Sequence, residues 1–322
     1  MPAKSAASLA KIIADLDDIE AAGEEATLQL GPGISLYVSH LNKVFFPDAG
    51  VTKGDVMRYY VWVSPYLLPV MQDRPLSLKR FPNGINGASF FQQKAPRETP
   101  KSVRVQTVSS ESDEEQHRLI GGSLSTLLYC VQLGAIEVNP WNARMQSLDY
   151  PDYIVLDLDP GPNAPFERVV EVALWIKETL DSHDLHAAVK TSGSRGIHIF
   201  IPISTNTRAG EAERISEQIA LTVVKAHSKE TTVQRSIKAR GETKVYIDYG
   251  QNARGKTVAA AYSVRPKPGA TVSAPIAWEE LTPDLDLHAF TVQTLPDRIE
   301  AVGDLWASAM QILNKGRAVT RM

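Results

Sequence analysis

The chain has 322 residues, of which 43% are hydrophobic and 22% charged, so it is globular and long enough for one large domain or two ordinary ones. Its single cysteine, Cys130, excludes an internal disulfide and any cysteine-based metal cluster, which suits a reducing cytoplasm. No signal peptide opens the sequence and no apolar stretch is long enough to cross a bilayer, so we expect a soluble cytoplasmic protein without a membrane partner.

Charged residues are unevenly distributed, although the formal net charge is only −3. Residues 74–104 carry seven Lys or Arg against the single acid Glu98, and residues 231–268 carry eight against two acids. Either cluster alone is compatible with a solvated face. Two such segments on either side of paired carboxylates favour a phosphate-rich partner around a metal site.

The chain is predicted to open with a separate helix. Hydrophobic residues at helical spacing on an acidic background indicate an exposed amphipathic helix that ends near Gly23. We assign this helix to an appended acidic extension, residues 1–30.

A mixed α/β subdomain is predicted to follow over residues 31–140. Its second element carries a helix-start signal, because Thr52 can cap the backbone while Asp55 completes a capping box. Ser, Asp and Glu predict a polar loop or hairpin end within residues 105–118. The predicted elements are a strand at Ile34–Val38, a helix at 55–63, short strands and a helix at 124–133.

The second half predicts the element order β-α-β-β-α-β. This succession is the split-βαβ arrangement, an antiparallel sheet with strand order 4-1-3-2 and both helices on one face. The fold class is therefore α+β, with this sheet inside a core spanning residues 141–295 and a C-terminal helix and tail over 296–322. The predicted elements are strand 153–159, helix 165–182, strand 187–191, turn 192–196, strand 197–201, helix 210–227 and strand 244–249.

Carboxylates stand at the end of the first strand of this sheet. Asp157 and Asp159 point to the same side about 7 Å apart along the strand. By themselves they are compatible with a solvated strand end before Pro160. In the predicted strand order, however, alternation also places His198 and Asp248 on that helix-free face, provided that the last strand does not slip by one residue.

Three carboxylates without cysteines are hard oxygen ligands that suit Mg²⁺ or Mn²⁺. Such a set can hold two ions that activate an attacking hydroxyl and stabilise a pyrophosphate leaving group, which is nucleotidyl transfer. The turn 192–196, just before His198, would supply backbone N–H groups, hydroxyls and the Arg195 guanidinium to a triphosphate. Taken alone, this turn is equally compatible with a plain hairpin.

Other phosphate-handling folds fit this element order less well. Residues 250–257 match the phosphate-loop pattern of P-loop NTPases, but residues 258–264 predict a strand where that fold needs a helix. A pair of aspartates also occurs in haloacid-dehalogenase-type phosphatases and metal-dependent glycosyltransferases. The first needs parallel βα units beginning at the motif and the second an upstream nucleotide fold, and this order supplies neither.

Residues 34–295 resemble the polymerase domain of bacterial multifunctional DNA ligase D, a member of the archaeo-eukaryotic primase superfamily that acts in non-homologous end joining. The motifs that carry the resemblance are Asp-Leu-Asp-Pro-Gly at 157–161, Lys-Thr-Ser-Gly at 190–193, Gly-Ile-His at 196–198, Asp-Tyr-Gly-Gln-Asn-Ala-Arg-Gly-Lys-Thr at 248–257 and Tyr-Ser-Val-Arg at 262–265. The resemblance implies that the catalytic and metal-binding residues are Asp157, Asp159 and Asp248. It implies that the nucleotide is bound by Ser192, Arg195, His198, Gln251, Arg265 and Asn139.

The N-terminal half resembles the same family. The motif Leu-Asn-Lys-Val-Phe-Phe-Pro and the later Thr-Lys-Gly imply that Lys43 and Lys53 bind the 5′-phosphate of a downstream strand. Phe90 and Phe91 match a pair that stacks on template bases. Because adjacent residues in a strand cannot both face one core, at least one of these rings is expected to be exposed beside the basic residues Lys79 and Arg80.

The chain departs from the family pattern at three places. Ser39-His40 stands where Thr-Asn is usual before the first lysine motif, which affects the phosphate pocket. Asn139 replaces a histidine expected near the active centre, and an amide cannot carry charge or ligate metal as imidazole does. Arg195 replaces a lysine and keeps its charge.

The resemblance implies a DNA-dependent polymerase and primase that uses Mn²⁺ or Mg²⁺ and NTP or dNTP substrates. Its expected partners are gapped or broken DNA with a 5′-phosphate, Ku and a DNA ligase, in the bacterial nucleoid, with ribonucleotides preferred. Two alternatives stay open: a catalytically weak module that binds DNA ends for a ligase, and a P-loop NTPase. Free-standing protein and excised domain are both compatible with the sequence.

Overall fold

The computed structural model describes residues 3–109 and 115–313, with side chains described from residue 6 to residue 310. The helices are α1 (Ala3–Ala22), α2 (Lys53–Met71), α3 (Leu124–Gln132), α4 (Phe166–Asp181), α5 (Ala209–Ala226), α6 (Ile237–Arg240), α7 (Leu295–Val302) and α8 (Leu305–Leu313). The strands are β1 (Ala26–Gly31), β2 (Ile34–Val38), β3 (Val44–Phe46), β4 (Val51–Thr52), β5 (Leu76–Arg80), β6 (Phe90–Gln92), β7 (Val105–Ser109), β8 (Glu115–Leu119), β9 (Ala135–Pro140), β10 (Tyr153–Pro160), β11 (Ala188–Thr191), β12 (Ile197–Pro202), β13 (Thr231–Thr232), β14 (Val245–Asp248) and β15 (Pro275–Ile276).

The chain divides into two compact units. The first unit comprises Met1–Trp141, Ala259–Val272 and His288–Ala301, and the second comprises Asn142–Val258, Ser273–Leu287 and Val302–Met322. The functional assignments made above for residues 1–30, 31–140, 141–295 and 296–322 stay predictions.

Helix α1 is less exposed than predicted. Ile12 and Leu16 are buried, and α1 packs against α2. Arg58 on α2 forms ion pairs with Asp17 and Glu20 of α1. The acidic surface of α1 is therefore partly satisfied by a basic residue far along the chain. The strand β1, which pairs antiparallel with β2, was not predicted from the sequence.

Helix α2 begins as predicted but continues eight residues beyond the predicted end at residue 63, through Met71. Thr52 and Asp55 form the expected capping box. The prolines at 65 and 69 lie inside the helix, where proline normally removes a backbone hydrogen bond. The Ser64 hydroxyl donates to the Val61 carbonyl at 2.7 Å, so the acceptor that Pro65 leaves without its usual amide partner is satisfied.

The first unit contains a three-stranded sheet in the order β6-β5-β9. Strands β7 and β8 form the antiparallel hairpin expected within residues 105–118, and its tip, residues 110–114, lies outside the described residues. Helix α3 is capped by Ser123 and buries Cys130.

The strand predicted at 258–264 is wrong. Tyr262 has φ +69°, a left-handed conformation that ends an extended run, and Val264 forms only an isolated bridge with Val272. The backbone groups of this segment are satisfied by the first unit instead: the Ala260 amide donates to the Val138 carbonyl and the Val264 amide to the Tyr60 hydroxyl.

The second unit contains a six-stranded sheet in the order β13-β14-β10-β12-β11-β15. Its four central strands have the predicted 4-1-3-2 order, and the short strands β13 and β15 extend the two edges. Helices α4 and α5 pack against β10. The face toward these helices is apolar and consists of Ile154, Leu156, Leu158, Ile197, Ile199, Ile201, Val245 and Ile247, all fully buried.

The C-terminal segment forms two helices where one was predicted. Helix α7 ends at Val302, and Gly303 then adopts φ +78°, a conformation that favours glycine and ends helices. Within the described part of the chain, no helix is long and apolar enough to cross a membrane.

Candidate active site

The carboxylates of β10 meet their predicted neighbours on the helix-free face of the second unit's sheet. Asp157 is the cross-strand partner of His198 on one side and of Asp248 on the other. Asp159 lies opposite Tyr246. Because directly opposed residues in an antiparallel pair point to the same face, all five side chains share that face. The register prediction for the last strand is therefore confirmed.

His198 connects Asp157 to a buried lysine. The ring Nε2 lies 3.3 Å from Asp157 Oδ1, and the ring Nδ1 lies 2.7 Å from Lys190 Nζ. Lys190 and His198 are both buried and are cross-strand partners of β11 and β12. The lysine was not singled out from the sequence.

Asp248 is held by donors from its own neighbourhood. Its Oδ1 accepts from the Tyr246 hydroxyl at 3.1 Å and from the Gly250 amide at 2.9 Å, while Oδ2 accepts from Gln251 Nε2 at 2.8 Å. Burial, followed by the charge of Asp248 and this hydrogen bond, raises the pKa of Tyr246 to about 12. The Arg240 guanidinium lies over the Tyr246 ring, 3.6 Å from its centroid.

These aspartates fit a divalent ion in their chemistry and strand positions. Carboxylate oxygens are the ligands that Mg²⁺ and Mn²⁺ prefer, and the strand register brings them to one face. Among the described residues, however, no three His, Cys, Asp or Glu side chains form a group that could hold a metal ion. Asp248 Oδ1 accepts two hydrogen bonds and Oδ2 accepts one, so Oδ2 has a further lone pair with which it could bind an ion.

The turn between β11 and β12 closes on itself. The Ser192 hydroxyl accepts from the amides of Ser194 and Gly196, both at 3.1 Å. Arg195 donates to the main-chain carbonyls of Gly161 and Pro162 at the end of β10. The amides expected to face a triphosphate are thus directed at Ser192, because a serine side chain competes locally for backbone donors.

A polar cavity of about 200 Å³ in the first unit brings together the two predicted phosphate ligands. Lys53 Nζ donates to the Ser39 carbonyl and to Gln132 Oε1, both at 2.7 Å. Burial, reinforced by the charge of Lys43, lowers the pKa of Lys53 to about 8. The other side chains that line the cavity include His40, Lys43, Phe45, Arg80 and Pro82.

His40, one of the departures from the family pattern, belongs to this cavity. Its Nδ1 lies 3.0 Å from the Ser39 hydroxyl, and its backbone has φ +55°. Gln132 Nε2 donates to the same hydroxyl at 2.8 Å. Ser39 and Gln132 therefore connect His40 to Lys53.

Both phenylalanines of the predicted stacking pair are exposed, Phe90 by 48% and Phe91 by 68%. The Arg80 guanidinium lies 5.1 Å from the Phe90 ring centroid, and Lys79 Nζ lies 5.6 Å from that of Phe91. The prediction that at least one ring is exposed beside basic residues is confirmed.

Asn139 and Arg265, predicted to bind nucleotide, meet at a shared carboxylate of the first unit. Glu137 Oε1 accepts from Asn139 Nδ2 at 3.3 Å, and Glu137 Oε2 accepts from Arg265 Nε at 3.1 Å. All three belong to the first unit, and their nucleotide-binding roles stay predictions.

A protein-family model described as the LigD primase-polymerase domain matches residues 52–306. The chain belongs to the LigD primase-polymerase domain family. Members of this family are nucleotidyltransferases, so the predicted enzyme class, DNA polymerase and primase, is confirmed together with the resemblance.

Similar proteins agree with this family. The bifunctional non-homologous end joining protein LigD of Bacillus subtilis is 34% identical over 269 residues, which are 83% of this chain and 43% of that protein. The multifunctional LigD of Pseudomonas aeruginosa is 31% identical over 277 residues, or 84% of this chain and 32% of that protein. The chain thus spans less than half of either relative.

A solved structure supports the fold assignment. The polymerase domain of Mycobacterium tuberculosis ligase D in complex with DNA has a TM-score of 0.79 and 28% sequence identity to this chain. The match covers 85% of this chain and 97% of that one. The α+β fold class predicted from the sequence is confirmed.

The P-loop NTPase alternative needs a helix directly after residues 250–257, and the structure has none there. Residues 250–252 form a short 3-10 turn, and residues 253–264 contain no helix that could present its N-terminus to a phosphate. The Asn252 side chain binds both backbone groups of Val155 and so fastens this loop to β10.

Sequence reasoning missed the residues that position the predicted ones. Lys190 stands eight residues before His198, and strand alternation could have placed the two on one face. Tyr246 could have been found in the same way, two residues before Asp248. Glu137 could also have been placed beside Asn139, two residues along the same strand, but not beside Arg265. For Gln132, which contacts residues far away along the chain, no local pattern carried a signal.

Proposed function

We propose that this chain is a metal-dependent, DNA-directed polymerase that extends primers at gaps and broken ends with a downstream 5′-phosphate, in non-homologous end joining. The observation that carries the proposal is the cross-strand position of Asp157 between His198 and Asp248. Adjacent acidic positions on an open sheet face suit nucleotidyl transfer because two divalent ions can be bound there.

In this proposal Asp157 and Asp159 would hold both ions, Mn²⁺ or Mg²⁺, and Asp248 would hold chiefly the ion that activates the primer hydroxyl. When bound, such ions lower the pKa of that hydroxyl and neutralise charge on the departing pyrophosphate. Ser192, Arg195 and His198 bind the triphosphate, and Gln251 holds Asp248 through its side-chain amide. The described turn supports the triphosphate role if Arg195 exchanges its carbonyl partners for phosphate.

The first unit would bind the DNA end. The cavity that contains Lys43, Lys53 and Arg80 has the charge and size for a phosphate monoester. Phe90 and Phe91 would stack on template bases, and Lys79 and Arg80 would contact the backbone. We further propose ribonucleotide preference, action with Ku and a DNA ligase, and a place in the bacterial nucleoid, in keeping with relatives named as end joining proteins.

A second function, an end-binding module with little catalysis, is favoured by one observation. The phosphate cavity is complete within the first unit, whereas the Asp248 carboxylate is engaged by Tyr246, Gly250 and Gln251. Such a module would bind 5′-phosphorylated ends without extending them.

Templated primer extension with Mn²⁺ separates the two functions. We expect Asp157→Ala to lower incorporation by about three orders of magnitude or more, while affinity for a 5′-phosphorylated gap stays within twofold of the parent, because catalysis needs charge stabilisation at the reacting centre. The matched control is Asp181→Ala, which removes an exposed helix carboxylate paired with Lys177. If the parent protein binds such gaps tightly but incorporates no nucleotide, the polymerase function is wrong and the end-binding module is the remaining function.

A further inference from the structure

Lys190 is a basic side chain with no exposed surface. It lies on β11 directly opposite His198 of β12. Burial of an ammonium costs free energy unless its hydrogen bonds are satisfied. A buried lysine next to a predicted catalytic face is therefore expected to have defined partners.

The partners of Lys190 fix the direction of its hydrogen bonds. Its Nζ contacts the Ser273 hydroxyl and His198 Nδ1. The Ser273 hydroxyl donates its own proton to the Thr191 carbonyl at 2.7 Å, so toward Lys190 it can only accept. The Phe200 ring, with its centroid 5.3 Å from Nζ, adds a favourable contact for a cation.

An ammonium group has three donors and no acceptor. His198 Nδ1 must then accept from Lys190, and the single proton of a neutral imidazole is left on Nε2. That nitrogen lies 3.3 Å from Asp157 Oδ1. The imidazole consequently presents a donor to the Asp157 carboxylate, whereas the other tautomer would present a lone pair to a negative charge.

We propose that Lys190 is a positioning residue that fixes the tautomer and ring orientation of His198 and thereby holds the Asp157 carboxylate in place. The inference rests on the proposed function only where it gives His198 and Asp157 their roles. In this assignment Lys190 acts on Asp157 through the His198 imidazole.

The test reads the tautomer directly. In protein labelled with ¹⁵N-histidine, long-range ¹H–¹⁵N spectra distinguish protonated from unprotonated ring nitrogens, and His198→Gln identifies the His198 signals among those of the seven histidines. The same spectra show whether one or both ring nitrogens carry a proton, so the comparison is made at a pH where the His198 ring carries a single proton. We expect the proton of His198 on Nε2 in the parent chain, and a proton on Nδ1 would overturn the proposal.

Variants separate positioning from simple packing. Lys190→Met keeps the length and apolar stem but removes the donor, and nucleotide affinity should fall about tenfold. Because the Asp157 carboxylate by itself favours a proton on Nε2, the tautomer is compared in the Asp157→Ala background, where Nε2–H should persist while Lys190 is present and both tautomers should be populated once Lys190→Met is added. Lys177→Met, at a half-buried lysine of α4, should change neither the tautomer nor the nucleotide affinity. Ser273→Ala removes the other partner and should leave the Nε2 tautomer unchanged. If the double variant Asp157→Ala/Lys190→Met folds and keeps a single Nε2–H tautomer, Lys190 does not position His198.

The two proposals can fail separately. If the parent protein shows the Nε2 tautomer but never extends a primer, the polymerase function fails and the role of Lys190 stands. If Lys190→Met does not fold, Asp157→Ala alone still decides the outcome, because loss of the single Nε2–H tautomer in that variant would show that Lys190 does not fix it. Extension activity together with an Nδ1–H tautomer would overturn only the role of Lys190.

Discussion

The two functional regions of this protein are built in different ways. On the second unit's sheet, short side chains at Asp157, His198 and Asp248 are neighbours because their strands are in register. In the first unit's cavity, the long side chains of Lys53 and Arg80 come from a helix start and a strand end and are fixed mainly by hydrogen bonds to other side chains and carbonyls.

This difference predicts different weaknesses. A short side chain on a strand moves only as far as its backbone allows, so the sheet site should be sensitive to backbone displacement. A lysine has a flexible stem and a titratable charge, so the cavity should tolerate small shifts but respond to charge and pH. Substitutions that act on only one of these properties can test the contrast.

The largest effect is expected from Gly196→Ala in the sheet site. A Cβ at Gly196 would lie 2.1 Å from the Leu158 carbonyl oxygen of β10, so the turn or the strand must shift. Overpacking of this kind typically costs about 1–3 kcal/mol, and we expect the upper end because the obstacle is backbone. Urea denaturation gives the change in free energy of unfolding.

Gly210→Ala is the matched control for this substitution. Gly210 lies in the first turn of α5, and a Cβ there would meet nothing within 4 Å. This variant should be neutral or more stable by up to about 1 kcal/mol, because alanine loses less backbone entropy in a helix. Equal unfolding free energies for the two variants would contradict the tight approach of Gly196 to β10.

The sheet site was largely predictable because a single rule, alternation, determines it. Once strands 153–159, 197–201 and 244–249 are assigned in the split-βαβ order, the positions of Asp157, His198 and Asp248 follow. The same rule failed at residues 258–264, where the positive φ of Tyr262 ends the extended conformation. Alternation cannot reveal such a residue, because only glycine usually marks this conformation in a sequence.

The cavity was predictable only through family resemblance. Gln132 contacts Ser39 across 93 positions of sequence and Lys53 across 79, so no local pattern connects them. The continuation of α2 through Pro65 was missed for a related reason: the Ser64 hydroxyl replaces the lost amide donor, a compensation that propensity scales do not include.

The second largest effect is expected in the phosphate cavity, where the charge of Lys53 depends on pH. Because the pKa of Lys53 is about 8, it is an ammonium in the free protein below that pH and loses its proton as the pH rises through it. A bound phosphate dianion favours the ammonium, so the preference for 5′-phosphate over 5′-hydroxyl ends should fall between pH 7 and 9. The unfolded-state value of 10.5 is higher, so the buried charge lowers stability below pH 8, and this cost is relieved as the pH rises toward 10.5.

Lys53→Met tests this assignment by fluorescence titration of gapped DNA. Loss of a charge-assisted hydrogen bond should lower the 5′-phosphate preference about 10- to 100-fold and flatten its pH dependence. Lys229→Met, at an exposed residue of the second unit, should leave both unchanged. A pH dependence that persists in Lys53→Met would have to be assigned to another group, such as His40, which lines the same cavity.

The smallest effects are expected from substitutions of the two phenylalanines. These substitutions distinguish the contribution of the cavity to DNA binding from that of the adjoining sheet surface. In the pairing of β5 with β6, Phe90 lies opposite Arg80 and Phe91 opposite Lys79, so the two rings face opposite sides. Arg80 also lines the phosphate cavity, whereas Lys79 does not. Base stacking on an aromatic ring contributes about 1–3 kcal/mol, and an exposed ring should lie near the lower end, about a fivefold to tenfold change in affinity.

Phe90→Ala should therefore weaken binding mainly to ends that carry a 5′-phosphate, because it removes the ring on which the Arg80 guanidinium rests. Phe91→Ala should weaken binding to 5′-phosphate and 5′-hydroxyl ends equally, since its ring contacts only Lys79 of the two basic residues. Leu174→Ala, at an exposed apolar residue of α4, is the control and should change neither affinity. If Phe90→Ala lowers the affinity for 5′-phosphate and 5′-hydroxyl ends equally, Arg80 does not recognise the phosphate. Phosphate recognition in the cavity would then be assigned to Lys43 and Lys53.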